Sequence, residues 1–314
     1  MSDHIPLLRF ISSEDQYQIV QAYLHNSNEV SNANKQKYRL DILTLEPLQH
    51  LAQTVGFHIA FCSVAQFLAD PYGADINLSF DQKIESFLLS PFWDKPLPWD
   101  GQVSRTIFGD KYMVYKLIAV HCPDIFQPRT MPVDSHGDCM KALASLTSDF
   151  VVFKPRQFGF ESKNVILIER QKALACVDKE RLNFYNYIVQ EYCDKVLWPP
   201  QEWRCHFVGR QLCRVMRISD KNNWGKQFSL TYTRIDEAPQ QVLQCAQEIA
   251  DRLVPKECMD NISIDFLMTT DGLMFLEVNM GCIGSMYPTS IEECAFIEPI
   301  YREMIRRVQL NIVE

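Results

Sequence analysis

No hydrophobic run in this sequence is long enough to cross a bilayer. A spanning helix needs roughly 20 consecutive apolar residues, and stretches such as Val151–Phe153 and Val165–Ile168 fall far short. The chain therefore reads as having no membrane partner. Its first residues, MSDHIPLLRF, lack the basic start and long apolar core of a secretory leader. There is no excess of positive charge either: 31 Lys and Arg stand against 39 Asp and Glu, a formal net charge of -8. Nucleic acid calls for a basic face, so that class of partner is set aside. An anionic ligand remains open, provided the cations gather in one cleft.

No Cys-x-x-Cys pair occurs among the 11 cysteines, and the seven histidines are dispersed. Metal-ligand spacing of the zinc type is missing. Cys62, Cys176, Cys205, Cys213 and Cys245 fall in strand-like or helix-like segments, so they read as small buried thiols of a reducing compartment. Repeats and low-complexity tracts are absent. What is present is an ordinary globular composition, 47% hydrophobic and 22% charged, over 314 residues. That length suits two or three packed subdomains.

Three stretches differ in texture. Residues 1–105 carry strand-like runs at Leu7–Ile11 and Phe57–Cys62, helical spacing over Glu46–Val55, an Asn-rich loop over Asn26–Asn34 and a Pro- and Trp-rich linker at Pro91–Trp99. In residues 106–188, Asp110-Lys111 opens a helix and a second helix spans Gly137–Leu146. There Asp149–Pro155 reads as a buried strand ending in Lys154-Pro155, with a second strand at Val165–Ile168 after a polar turn. Residues 189–314 hold a strand at Ile188–Tyr192, which straddles their start. A hairpin over Trp203–Val208 and Gln211–Ile218 turns at Gly209-Arg210. An amphipathic helix follows over Gln240–Leu253, then a hairpin over Ile262–Met268 and Leu273–Val278, and a helix begins at Ile291. Val242, Leu243, Ala246, Ile249, Ala250 and Leu253 share one face of the amphipathic helix. Asp271-Gly272 is a strong turn signal for the last hairpin.

That last hairpin carries the chemistry. Antiparallel pairing brings Asp265 near Glu277 and Asn279, and residues two apart on a strand share a face. The three side chains offer oxygen ligands to a hard cation; Mg²⁺ asks for only one or two carboxylates beside phosphates and waters. The plain alternative is a polar face on an ordinary hairpin. Against it, acidic groups rarely sit among Phe, Leu and Val without a partner.

The hairpin resembles the C-terminal metal-binding hairpin of ATP-grasp enzymes, such as D-alanine–D-alanine ligase and glutathione synthetase. The resemblance covers about residues 106–285 and keeps its order. Lys111, at a helix start, resembles the first ATP lysine of the family, and Phe153-Lys154-Pro155 resembles the second. Gln190-Glu191-Tyr192 resembles the hinge that holds adenine through backbone groups, with an acidic residue near the ribose. Arg204 and Arg217 resemble the arginines that meet phosphate or acylphosphate, and Asp265, Glu277 and Asn279 the Mg²⁺ ligands. The family's turn after the second lysine is rich in glycine. Here Arg156–Ser162 has one Gly and two Phe, leaving Gly159 and Ser162 for the phosphate contacts.

The resemblance implies an α/β (α+β) ATP-grasp fold, with a leading α/β domain (1–105) and two α+β subdomains (106–188 and 189–314) that clasp ATP. It implies an ATP- and Mg²⁺-dependent ligase joining a carboxylate to an amine through an acylphosphate, and dimerisation through the leading domain as in many relatives. ATP use, free thiols and the missing leader together imply cytoplasmic residence. Other readings stay open: a thiol, peptide or protein acceptor, or a binding or scaffolding module that turns nothing over. Lys111 has the alternative of a solvated helix-start residue, and Arg204 that of a sheet-surface charge. Asn222, Asn223 and Lys226 fall in a polar loop, and Gly281–Ser285 follows the metal strand. Arg210 and Arg214 read as exterior, since alternation puts Arg217 on the face opposite Arg214.

Overall fold

The computed structural model describes residues 4–26, 31, 39–79, 107–156, 165–178, 186–197, 201–220, 228–256, 258, 260–280 and 287–311. Gly159, Ser162, Asn222, Asn223, Lys226 and the stretches 91–99 and 281–285 lie outside these residues, as does most of 26–34. Three sheets, each with its own apolar core, organise the rest.

The leading part alternates strand and helix: β1 (Leu7–Ser12), α1 (Glu14–His25), α2 (Arg39–Val55), β2 (His58–Ser63), α3 (Val64–Ala69) and β3 (Ile76–Ser79). Its sheet is parallel, in the order β2-β1-β3. A central parallel strand is covered on both faces, which is why β1 reads as a nearly unbroken apolar run. The exception is Arg9, only 7% exposed. Its guanidinium donates to Asn77 Oδ1 at 2.8 Å and to the Pro71 carbonyl at 3.0 Å. Helix α2 starts at Arg39, ahead of the predicted Glu46, and runs through Pro47. Burial of Leu45, Leu48 and Leu51 in the leading core outweighs the bond that the proline removes.

The middle part holds α4 (Lys111–His121), β4 (Thr130–Val133), α5 (His136–Ser145), β5 (Phe150–Pro155), β6 (Ile166–Glu169), α6 (Arg170–Asp178) and β7 (Tyr187–Glu191). The sheet is antiparallel, in the order β4-β7-β5-β6. Val151, Phe153 and Val189 point to the face that meets Cys139 and Leu143 of α5 and Ala173 of α6. Alternation leaves Val152, Lys154 and Gln190 for the opposite face.

The last part comprises β8 (Gln201–Val208), β9 (Gln211–Asp220), β10 (Phe228–Thr233), α7 (Gln240–Leu253), β11 (Asn261–Thr269), β12 (Gly272–Met280) and α8 (Ile291–Asn311). Its antiparallel sheet runs β10-β9-β8-β11-β12. Both predicted hairpins form about glycines with positive φ, Gly209 at 55° and Gly272 at 124°. A Cβ on Gly209 would fall 2.2 Å from the Cys258 carbonyl, so that turn excludes every other residue. The apolar face of α7 is buried at Val242, Ala246, Ile249, Ala250 and Leu253, as its periodicity predicts. It shares a core with Trp203, Cys205, Ile264 and Phe266 of the sheet and with Val114, Tyr115 and Ile118 of α4. Helix α4 thus packs into the core of the third sheet, while α8 joins the leading core by stacking Tyr301 on Phe57 at 5.4 Å. Among the described residues no helix is long and apolar enough to cross a membrane.

Candidate active site

Period-two alternation sorts the third sheet into two faces. Trp203, Cys205, Phe207, Ile262, Ile264 and Phe266 meet the core under α7 and α4. The intervening residues Glu202, Arg204 and His206 on β8, and Ser263 and Asp265 on β11, therefore share the other face. Register then fixes their neighbours: Asp265 lies opposite both Arg204 and Glu277, and Ser263 lies opposite both His206 and Asn279. A bulge between Asp265 and Phe266 lets Glu277 keep this face although the strand beyond it shifts.

The three ligand candidates meet. The Asn279 amide nitrogen donates to Asp265 Oδ2 at 2.8 Å and to Glu277 Oε1 at 3.2 Å. Asp265 is fully buried, and Arg204 grips it through Nε at 3.0 Å and Nη2 at 2.6 Å. Arg204 also reaches Glu202 Oε1 at 3.3 Å.

Both lysines face this cluster. Asp110 caps α4 by accepting from the N–H groups of Tyr112 and Met113, which sets Lys111 in the first turn. Lys111 Nζ lies 3.5 Å from Glu277 Oε2. Lys154, near the end of β5, feels the charges of Glu277 and Glu202. From α4, Tyr115 donates to the Leu276 carbonyl at 2.5 Å and packs edge-on against Phe275 at 5.3 Å, fixing the strand that presents Glu277.

The charges are mutually dependent. Burial pulls Lys154 below the usual lysine range, and Glu277 and Glu202 oppose this. Burial works against ionised Glu277, yet Lys111, Lys154 and Arg204 outweigh it and hold its pKa below the carboxylate range. Asp265 goes the other way: burial raises it, in spite of Arg204. Glu202 is pushed up to about 8 by burial and by its neighbour Asp265. Carboxylates crowded against three cations form a site that gains from a further positive ion and from anionic oxygen.

The match to known structures is over the whole chain and is carried by shape. D-alanyl-alanine synthetase A from Vibrio cholerae O1 superposes with a TM-score of 0.61 at 12% identity, covering 100% of both chains. D-alanine–D-alanine ligase from Bacillus anthracis, complexed with ATP, gives 0.58 at 13% identity, with 98% of each chain covered. The ATP-grasp ligase PsnB, complexed with a minimal precursor, gives 0.58 at 14% identity, covering 96% of this chain and 99% of that one. The chain has the ATP-grasp fold. No protein-family model matches the sequence, and neither does any curated protein.

Not every residue expected from the ATP-grasp resemblance joins the cluster. Arg217 lies opposite Trp203, on the face away from Asp265. The arginine on the site face of β9 is Arg214, which lies opposite His206, is 3% exposed and donates to His206 Nε2 at 3.1 Å. Alternation separates Arg214 from Arg217 correctly. Which of the two faces is the site depends on where α7 packs, and that reverses the expectation of an exterior Arg214. Glu191 turns its carboxylate to Thr147, accepting from its N–H at 2.8 Å and its hydroxyl at 3.0 Å. The N–H groups of Glu191 and Tyr192 are bound to the carbonyls of Arg129 and Phe150. Gln190 is buried on the Lys154 face, and its amide donates to Thr130 Oγ1 at 2.8 Å. Gly159 and Ser162 lie outside the described residues.

Two features escaped the sequence reading. Glu202 is the third carboxylate of the cluster, and its signal was the polar alternation Glu202, Arg204, His206 against apolar Trp203, Cys205, Phe207. Leu167 lies opposite Val152 on the Lys154 face and stays 48% exposed, an apolar strip beside a lysine. No cluster of three or more His, Cys, Asp or Glu side chains is set to hold a metal among the described residues. Two carboxylates and one amide nevertheless fit Mg²⁺: the oxygens are hard, their crowding favours a cation, and an amide can turn to present its oxygen.

Proposed function

We propose that this protein uses Mg²⁺-ATP to activate a carboxylate and joins it to an amine, releasing ADP and phosphate. The observation that carries the reading is the meeting of Lys111, Lys154 and Arg204 with Asp265, Glu277 and Asn279 on one face of the third sheet. Adenine would lie against Val152 and Leu167, an apolar strip that suits a flat base. Lys111 and Lys154 would bind the phosphates, and their cost of burial would be offset by the anion. Arg204 would hold Asp265 in place and add positive charge near the transferred group. Asp265, Glu277 and Asn279 would hold Mg²⁺, which offsets charge on phosphate oxygens when bound.

In this reaction a carboxylate oxygen attacks the γ-phosphorus, and the bond to the ADP oxygen breaks. The amine nitrogen then attacks the carbonyl carbon of the acylphosphate, phosphate leaves and the nitrogen gives up a proton. We assign 1–105 to a leading domain and 106–188 and 189–314 to two subdomains around the site. The likeness to PsnB, complexed with a minimal precursor, favours a second reading in which the acceptor is part of a peptide.

The test is thermal unfolding with and without Mg²⁺-ATP, beside Glu277→Ala. Ligand at about a hundred times its dissociation constant adds about 2.7 kcal/mol, a shift of several degrees. A Mg²⁺-dependent shift lost in the variant is expected, followed by ADP release with carboxylate and amine mixtures. Absence of any shift in the wild type would sink the reading. A shift without ADP release from any mixture would leave a nucleotide-binding module. Turnover with peptides but not free amino acids would select the peptide reading.

A further inference from the structure

We propose that Arg156 is a positioning residue of the nucleotide site, whose guanidinium, locked between Asp110 and Asp134, sets the strand carrying Lys154 against the helix carrying Lys111. This inference rests on the reading of the site given above.

Arg156 follows β5 directly, two residues past Lys154. Its Nε donates to Asp110 Oδ2 at 2.7 Å, its Nη2 lies 2.6 Å from the same oxygen, and its Nη1 donates to Asp134 Oδ2 at 2.9 Å. The other oxygen of Asp110 accepts from Tyr112 N at 2.9 Å and Met113 N at 3.2 Å. One carboxylate thus both caps α4 and holds the arginine. Burial works against it, but Arg156 and the two N–H groups keep Asp110 below its usual range. The main chain adds two bonds: Lys111 N–H donates to the Arg156 carbonyl at 3.0 Å, and Arg156 N–H donates to the Asn186 carbonyl at 2.9 Å. The guanidinium also lies over the Tyr112 ring, 5.8 Å from its centroid.

The contacts of Arg156 with Asp110, Lys111 N–H and Tyr112 cross between two cores, while those with Asp134 and Asn186 anchor it in its own sheet. Val151 and Phe153 of β5 belong to the core under α5 and α6. Val114, Tyr115 and Ile118 of α4 belong to the core of the third sheet. Lys154 and Lys111 therefore ride on different bodies, and both must meet the same phosphates. Asp134 stands just ahead of Ser135, the cap of α5, so the arginine also ties in the turn between β4 and α5. A planar guanidinium held on two carboxylates permits one geometry, whereas a lysine ammonium would hold only a distance.

The experiment is calorimetric titration of Mg²⁺-ATP into the full chain for wild type, Arg156→Ala, Arg156→Lys, Asp110→Asn, the Asp110→Asn/Arg156→Ala double variant and Lys154→Met. Asparagine still caps a helix, so Asp110→Asn removes the arginine link and keeps α4. Arg156→Ala should weaken ATP binding about tenfold or more, the scale of coupling between linked sites, with ligand-free melting close to wild type. Lysine should restore part of the loss. The double variant should bind no worse than the worse single one, because both act through one link. If Arg156→Ala does not fold, Asp110→Asn and Asp134→Asn make the same reading. Wild-type affinity in the Arg156 or Asp110 variants overturns the inference, as does a lowered melting temperature with unchanged affinity. Loss in Arg156→Ala but none in Asp110→Asn overturns it too, since the arginine would then touch the nucleotide itself. If Lys154→Met binds ATP as the wild type does, the reading of the site fails first. If Lys154→Met loses binding while the Arg156 and Asp110 variants keep it, only the positioning role fails.

Discussion

Asp265→Ala removes the charge on which the cluster turns. Asp265 is fully buried, takes three hydrogen-bond contacts from Arg204 and a fourth from Asn279, and faces Glu277 across the strand pair. Truncating one partner of a buried ion pair costs about 3–5 kcal/mol, because the other charge stays behind. Two features place this case at the low end. Arg204 keeps 25% of its side-chain surface and retains Glu202 at 3.3 Å. Glu202 and Glu277 also lose a repulsive neighbour. A loss of about 3 kcal/mol at about 2–4 °C each corresponds to a fall of about 6–12 °C in melting temperature. The assay is ligand-free thermal and urea unfolding of wild type, Asp265→Ala, Asp265→Leu, Arg204→Met, and an Asp265→Leu/Arg204→Met pair that fills similar volume without charge. The pair should recover most of the loss. An Asp265→Ala variant as stable as wild type, or a pair that loses as much as the two single substitutions summed, would refute the argument that coupled charge holds this face together.

Lys111→Met and Lys154→Met should each lose most of the Mg²⁺-ATP melting shift, and titration of ATP into the variants checks this. His206 is buried neutral, pressed below the usual histidine range by burial and by Arg214 and Arg204. The unfolded chain takes up a proton near pH 6.5 that the folded chain refuses, so below that pH stability falls by about 1.4 kcal/mol per unit. His206→Gln lacks this term, and the stability gap between it and wild type should narrow from pH 7 to pH 5.5 in urea titrations. Asp110 titrates below its usual range, so its contribution is complete above about pH 4 and fades as pH falls through the lowered folded value. Asp110→Asn should flatten acid unfolding in that window. Phe153→Ala, in the core with Leu143 and Val189, should cost about 3–5 kcal/mol by leaving a cavity, read from chemical unfolding.

Much of the local structure was legible because its causes are local. Asp271-Gly272 needs a positive φ at the glycine and closes the last hairpin, but it takes the bulge at Asp265/Phe266, which no local signal announces, to bring Asp265 opposite Glu277 rather than Leu276. Asp110 caps α4 through its own side chain. The 3.6-residue spacing of Val242, Ala246, Ile249 and Leu253 predicts the buried stripe of α7. Helix α2 was less legible, because its early start through Pro47 depends on packing in the leading core.

Alternation decides that two residues lie on opposite faces but not which face a helix will cover. For this reason Arg214, expected to be exterior, is buried beside His206, Arg217 lies opposite Trp203 on the face away from Asp265, and Glu202 joins Arg204 unannounced. The Glu191 carboxylate accepts from Thr147, 44 positions earlier in the chain. Order along the chain cannot register such a partner. The two hairpin turns at glycine and the start of α4 at Asp110 are legible in the sequence, since each depends on residues within one turn. It takes the tertiary packing to set which face α7 covers, to bring Lys111 and Lys154 to Glu277, and to join Arg156 to Asp110. Those contacts join distant segments through packing, where no local preference acts.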